Sequence, residues 1–404
     1  MSEDSGGHEA PTRREYIKYS GAVVGGVFLA GCAGQSDSGS TPESTSTETE
    51  TDTATEMETT IGDTSYTVSM EPAGEVAFEA VPESWVTYFS TYGDMAIALG
   101  QRDGMEASVF TENWPMQFFD YLPDVNISLE DVEQIWSDGI PKEIFYEIDA
   151  DVHLMDPNFI PRLDDGWDDD DFEEIQTNVG PFIGNWIRRH GFEWHDYEYY
   201  TLYEAFERIA QVFQERERYQ ALKSVHDEFI AEIRAELPPR SERPEIGLMS
   251  VNDDFEQGVF SLYQVTAGNG KKQYQDLGIN DAFADLAPSD RNDADYELLF
   301  ELDPDILVFH FAASHATPEV VEEKREILRN SDFGSQLSAV QNDRMYPGGT
   351  AYQGPIINLF QTEMAAKQFY PDIFGEWNGY ETLADESNWL FDHRRVADII
   401  NGDI

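Results

Sequence analysis

The chain has 404 residues, with 80 Asp and Glu against 25 Lys and Arg and a formal charge of −55. Phosphate recognition needs a basic surface, so nucleic-acid binding is excluded. Aromatic residues at 13% exclude a disordered acidic chain, and the acidic excess is that of a halophilic protein's surface.

Thr12-Arg13-Arg14-Glu15-Tyr16-Ile17-Lys18 opens a basic, then apolar, segment that ends at Leu29-Ala30-Gly31-Cys32. Arg13 and Arg14 resemble a twin-arginine export signal. The Leu-Ala-Gly-Cys ending resembles a lipobox, whose cysteine takes a lipid and becomes the new N-terminus. The apolar run is shorter than the ~20 residues of a membrane span. Residues 1–32 are therefore expected to be a lipoprotein signal, with Cys32 as anchor. Cys32 is the chain's only cysteine, which excludes a disulfide framework and a Cys-rich zinc site. Residues 33–64, mostly Ser, Thr, Glu, Asp and Gly, read as a disordered tether.

A first α/β lobe is predicted over 65–200. Glu75 to Ala80 reads as a strand, Ser84 to Leu99 as a helix, Glu106 to Phe110 and Asp151 to Met155 as further strands. Strand, loop and helix in alternation predict a parallel sheet with helices on its faces. Ligands on such sheets bind beyond the carboxyl ends of the strands, which makes Trp85, Tyr88, Trp114, Asn158 and Phe159 candidates for one wall of a site. Asp164 to Asp171 lacks the alternating ligands of an EF-hand loop and reads as a solvated acidic loop. Asn126-Ile127-Ser128 is a glycosylation sequon.

Thr201 to Leu237 reads as one long helix, opened by a Thr201/Glu204 capping box and closed by Pro238-Pro239. Its apolar residues recur every three or four positions, and it would run roughly 55 Å. On either side stand two similar stretches, Glu143-Ile-Phe-Tyr-Glu-Ile-Asp-Ala-Asp-Val-His-Leu154 and Glu297-Leu-Leu-Phe-Glu-Leu-Asp-Pro-Asp-Ile-Leu-Val308. Two copies of helix, turn and apolar strand mark a duplicated unit.

The second lobe is predicted over 244–404, with strands Glu245 to Ser250, Gly258 to Tyr263 and Ile306 to Phe311 and helices Pro355 to Tyr370 and Asp392 to Ile400. His310 and His315 are five apart, as are His190 and His195. No His-Glu-x-x-His, Gly-x-Ser-x-Gly elbow or phosphate-binding glycine loop occurs, so neither an enzyme nor a resident cofactor is expected. The expected fold is α/β, two lobes each with a mainly parallel sheet and flanking helices, joined by a long rigid interlobe helix.

With these parts assembled, the chain resembles substrate-binding lipoproteins of ABC importers, in the metal-chelate class that carries ferric siderophores, cobalamin or haem. The residues that carry the likeness are Thr91-Tyr92-Gly93-Asp94 through Gly100, Glu143 through Asp151, Asp171 through Gly184 with Val179-Gly180-Pro181-Phe182, Glu297 through Asp305, and Tyr352-Gln353-Gly354-Pro355. The resemblance implies a monomer on the outer face of the membrane that hands a chelate to a permease and its ATPase. It implies that Glu143 and Glu297 engage the permease, one per lobe. It implies a cleft in which Trp85, Tyr88, Trp114, Phe255, Phe311 and Tyr352 stack on the chelate. The family also uses arginines, for which Arg102, Arg162 and Arg291 are the candidates. The shortage of arginine makes a neutral or aromatic-rich chelate the easier fit. A surface-anchored hydrolase and a direct zinc or manganese importer component are the alternatives.

Overall fold

The computed structural model describes residues 65–289 and 291–404; the export signal, Cys32 and the tether lie outside the described residues. β1 (Tyr66–Met70) and β2 (Gly74–Phe78) pair as an antiparallel hairpin. Their burial alternates, with Val68, Met70, Val76 and Phe78 inward, as a strand with one solvated face requires. The strand expected at Glu75 to Ala80 thus belongs to this hairpin, outside the lobe's sheet.

The first lobe's sheet is built from β3 (Trp85–Thr87), β4 (Met105–Ser108), β5 (Glu133–Gln134) and β6 (Val152–Leu154), ordered β5-β4-β3-β6 and parallel throughout. An aromatic followed by two β-branched residues favours extended backbone, so Trp85-Val86-Thr87 is a strand where a helix start was expected. The helix α1 begins later, at Ser90, and runs to Ala98. Gly93 on α1 lies against Trp114, whose ring a Cβ would meet at 2.0 Å. Three helices follow in this lobe: α2 (Glu143–Ile148), α3 (Ile160–Leu163) and α4 (Asp169–Asn178). The acidic run supplies the start of α4. Asp168 and Asp171 form a capping box, and Asp169, Asp170 and Asp171 occupy the first turn, where the helix dipole favours negative charge.

The expected connecting helix is two helices. α5 (Leu202–Val212) has the predicted cap, with Thr201 Oγ1 accepting from the Glu204 N–H at 3.3 Å and the Glu204 carboxylate accepting from the Thr201 N–H at 2.8 Å. Gln214 then takes φ +57°, and α6 (Arg216–Glu236) folds back along α5. Phe206 meets Tyr219 at 5.2 Å and Tyr203 meets His226 at 4.2 Å. One apolar stripe in the sequence therefore serves two facing helices. The spine is α6 alone, roughly 31 Å long. Near its start Arg218 donates to the Leu99 and Ile400 carbonyls, and near its end Arg234 pairs with Asp276 of the second lobe.

In the second lobe β7 (Glu245–Ser250) and β8 (Phe260–Tyr263) precede α7 (Lys272–Asp276), and β9 (Asn280–Asp281) and β10 (Asn292–Ala294) follow it. Next come α8 (Tyr296–Leu302), β11 (Ile306–His310), α9 (Ala312–His315), α10 (Pro318–Asn330), α11 (Ser338–Gln341), β12 (Met345–Pro347), α12 (Pro355–Phe369), α13 (Pro371–Phe374) and α14 (His393–Asn401). The order is β10-β8-β7-β11-β12, with β9 also on β7. β7, β9, β11 and β12 pair parallel, while β8 is antiparallel to β7 and to β10. The link 251–259 is too short for a crossover, so this sheet is mixed.

The duplicated units lie in different sheets and match in detail. α2 and α8 both end on an aspartate in the left-handed region, Asp149 at φ 53° and Asp303 at φ 33°. Two residues on, Asp151 accepts from the N–H groups of Glu83 and Ser84, just ahead of β3, and Asp305 accepts from the N–H of Glu245, the first residue of β7. Each unit thereby fixes the start of a neighbouring strand. Ile306 and Val308 of β11 face a core shared with β3, β6, α1, α6 and α12, while Leu307 and Phe309 face a second core with Met249, Phe255 and Phe260.

The surface charge has a consequence for stability. Raising ionic strength from 0.01 to 1 M shortens the screening length from about 30 Å to about 3 Å, so the melting temperature is expected to climb steadily with added salt. A melting temperature flat across that range would show that self-repulsion among the carboxylates is not felt by the fold.

Candidate functional site

The carboxyl ends of the parallel strands converge on one cleft. β3 ends at Thr87 and hands over Tyr88 and Phe89; β6 leads through Asp156 to Phe159. A parallel bridge between His153 and Phe182 extends the sheet past β6, and that segment carries Trp186, Arg188 and Arg189 onto the same end. From the second lobe β11 delivers His310 and Phe311, the latter at φ +67°, and the loop after β12 delivers Ala351 and Tyr352.

The rings pack on one another. Phe159 stacks on Trp186 at 3.6 Å, Tyr88 lies 5.9 Å from Trp186, and Phe89 stacks on Tyr352 at 4.1 Å and 5°, closing the gap between the lobes. Ser90 Oγ donates to the Tyr352 carbonyl at 2.6 Å across the same boundary. The Arg188 guanidinium sits among these rings, 4.8 Å from Tyr352, 5.6 Å from Phe311 and 5.9 Å from Trp186. Arg189 lies 4.4 Å over Phe192, and Lys271 lies 5.4 Å from Tyr263. Such contacts attract a cation to the ring face. The buried Nε of Arg188 has no hydrogen-bond acceptor, an unmet donor that an incoming oxygen would satisfy.

Asp156 sets this geometry. Its buried carboxylate accepts from the Trp186 N–H at 2.8 Å, the Asn158 N–H at 3.0 Å and the Tyr197 hydroxyl. Desolvation raises its pKa to about 6 even so, because burial disfavours the charged form more than these donors favour it. Arg188, Arg189, Tyr263, Thr266, Lys271 and His310 line a cavity of only about 10 Å³, room for one water at most. Admitting a larger ligand requires the Phe89–Tyr352 stack to part.

Of the residues expected to bind, Tyr88, Phe159, Phe311 and Tyr352 meet in this cleft, with Asn158 at its edge holding Asp156. Trp85 does not. It opens β3 at the opposite end of the sheet, fully buried, its indole N–H donating to the Gln101 carbonyl at 2.8 Å. Trp114 is a core residue beneath α1, donating to Ser108 Oγ at 3.3 Å. Phe255 packs against Phe260 and Phe309 in the second core. Glu143 and Glu297 are exposed in the first turns of α2 and α8. Arg102 pairs with Asp131 and Arg291 with Asp293, both away from the cleft, whereas Arg162 reaches its edge over Phe192. The expectation of an arginine-poor pocket is corrected by Arg188 and Arg189. They were detectable as a tandem basic pair following Val179-Gly180-Pro181-Phe182. Among the described residues no three His, Cys, Asp or Glu side chains group as a metal site.

A larger cavity of about 610 Å³ lies between α10, β12 and residues 376–381. Its cations are already committed: Arg325 to Glu322 and the Met345 carbonyl, Arg329 to Glu322 and Asp343. The cleft is the better candidate because Arg188 holds an unmet donor.

A model of the periplasmic binding protein family matches residues 164–351, and a solved periplasmic binding protein from Veillonella parvula superposes with a TM-score of 0.55 over 76% of this chain and 98% of its own, at 12% identity. The fold is that of the periplasmic binding proteins. Two further structures with this binding-protein fold are similar. One is the iron uptake ABC transporter substrate-binding protein PiuA of Streptococcus pneumoniae (TM-score 0.53, 17% identity, 74% of this chain and 96% of that one). The other is the siderophore periplasmic binding protein from the fuscachelin gene cluster of Thermobifida fusca (TM-score 0.52, 16% identity, 72% and 97%). No curated protein matches the sequence. The cleft described above lies between the lobes of this binding-protein fold, and no helix of the described residues is long and apolar enough to cross a membrane.

Proposed function

We propose that the chain is the substrate-binding component of an ABC importer, capturing an anionic metal chelate, a ferric siderophore first among them, in the interlobe cleft. The observation that carries this reading is Arg188, held among Trp186, Phe311 and Tyr352 with a buried N–H lacking an acceptor. A flat, oxygen-rich anion supplies both a ring-sized surface and the missing acceptor. Export by the twin-arginine route through Arg13 and Arg14, and anchoring through a lipid on Cys32, complete the reading. They place the tethered protein on the outer face of the membrane, where it acts as a monomer.

Titration of the tryptophan fluorescence with a ferric siderophore, cobalamin and haem tests the ligand. A ferric siderophore is expected to quench Trp186 with a dissociation constant in the micromolar range or below. Response to cobalamin alone would transfer the reading to that cargo, and response to none of the three would remove it.

Glu143 and Glu297, at matched positions of the two units, are the proposed contacts with the permease. Replacing both with Ala is expected to stop uptake while leaving chelate affinity intact.

A further inference from the structure

Among the described residues, seven large apolar side chains stand more than two-fifths exposed. Two of them, Tyr146 at 42% and Phe300 at 47%, occupy the same place in the two duplicated units. Each stands three residues after the leading glutamate, Glu143 or Glu297. That spacing puts ring and carboxylate on one helix face.

Neither ring is needed for the fold, because the neighbouring Phe145 and Leu299 are the fully buried residues of α2 and α8. Two more of the seven flank α8. Phe333, 59% exposed, stacks on Tyr296 at 6.1 Å, and Val259, 55% exposed, follows Gly258, which abuts the Tyr296 ring. Exposed apolar side chains gathered in one place mark an interaction surface.

A carboxylate on its own does not distinguish a docking point on a chain with 80 of them, and salt weakens its reach. An apolar contact survives added salt. We infer that each lobe docks through an acid–aromatic pair, Glu143 with Tyr146 and Glu297 with Phe300, each ring entering an apolar pocket with a basic rim. The repetition of the pair, once per lobe, fits a partner that presents two equivalent pockets, the paired halves of the importer permease. The α8 side makes the larger contact through Phe333 and Val259. This rests on the importer reading above.

The test is binding of the full chain, loaded with a ferric siderophore, to the permease–ATPase complex in lipid nanodiscs. Siderophore affinity and melting temperature are measured in parallel. Phe300→Ala is expected to weaken docking at least tenfold, Tyr146→Ala less, and the double variant about a hundredfold, with siderophore affinity and melting temperature unchanged. Phe300→Tyr is expected to restore docking. Unchanged docking in the double variant, alongside lost docking in Glu143→Ala/Glu297→Ala, would overturn the role of the rings and leave the importer reading standing. Loss that tracks a fall in melting temperature would also overturn it, as would failure of Phe300→Tyr to rescue. A siderophore-loaded wild-type chain that never binds the complex would remove the importer reading and this inference together.

Discussion

Arg188→Glu is expected to abolish chelate capture, and Arg188→Ala to weaken it by about a hundredfold. A hydrogen bond from a buried charged donor to an anion contributes about 1.5–3 kcal/mol, or roughly ten- to a hundredfold in affinity; loss of the guanidinium plane among three rings adds to it. Reversal to Glu adds repulsion of an anionic ligand at a desolvated site. Arg188→Lys should fall between, since it keeps the charge and loses the planar fork. Stability should hold in the Ala variant, because the Nε lost has no acceptor in the free protein. Arg189→Ala should cost less, as its guanidinium lies over Phe192 toward the edge of the ring cluster. Titration of the Trp186 fluorescence with a ferric siderophore measures the whole series. An Arg188→Ala variant that binds as the wild type does would move the site elsewhere.

The parts of this architecture that were legible in the sequence are those fixed by local pattern. The Thr201/Glu204 capping box, the proline-led α12, the duplicated α2–β6 and α8–β11 units and the parallel first sheet all rest on short-range signals. Two kinds of feature were hidden. The break at Gln214 leaves the apolar spacing almost unchanged, because residues 202–213 and 219–237 each keep their own stripe, and only a left-handed backbone turns one against the other. Trp85 was misplaced because its strand, β3, is only three residues long, too short to show alternation, so the tryptophan read as part of a loop before a helix. The aromatic wall was half legible. Tyr88 and Phe159 follow predicted strand ends, but Trp186 and Arg188 come from a segment whose only tie to the sheet is a single bridge at Phe182, a pairing at long range that no local signal reveals.

Asp94→Leu is expected to destabilise the fold by about 3 kcal/mol, and Asp94 is also expected to give the protein an unusual pH profile. The side chain leaves α1 of the first lobe, is fully buried, and accepts from the Ile357 N–H at 3.0 Å in the first turn of α12. Gly354 permits the approach, since a Cβ there would lie 2.6 Å from the Asp94 carboxylate. Leucine leaves a buried N–H without an acceptor, at a cost of about 1–3 kcal/mol, and breaks a tie between the two lobes. Burial raises the Asp94 pKa to about 8. Between its ordinary value near 4 and about 8 the native state therefore holds a proton that the unfolded chain has released, so stability falls as pH rises through that window. His153, His195 and His226, held down to about 4 by burial, act in the opposite sense, losing stability as pH falls below about 6.5. Asp156, raised to about 6, has finished titrating by pH 7. From pH 6.5 to 8 the Asp94 contribution dominates, and at about 1.4 kcal/mol per unit the unfolding free energy should drop by about 2 kcal/mol. Asp94→Asn keeps an oxygen for the Ile357 N–H and carries no proton to lose, so its stability should be flat across that range. Denaturant unfolding of both proteins at pH 6.5, 7.2 and 8 measures the difference; a slope shared by the two would place the titrating group elsewhere, and rising stability in the wild type would mean that Asp94 is charged in the native state throughout.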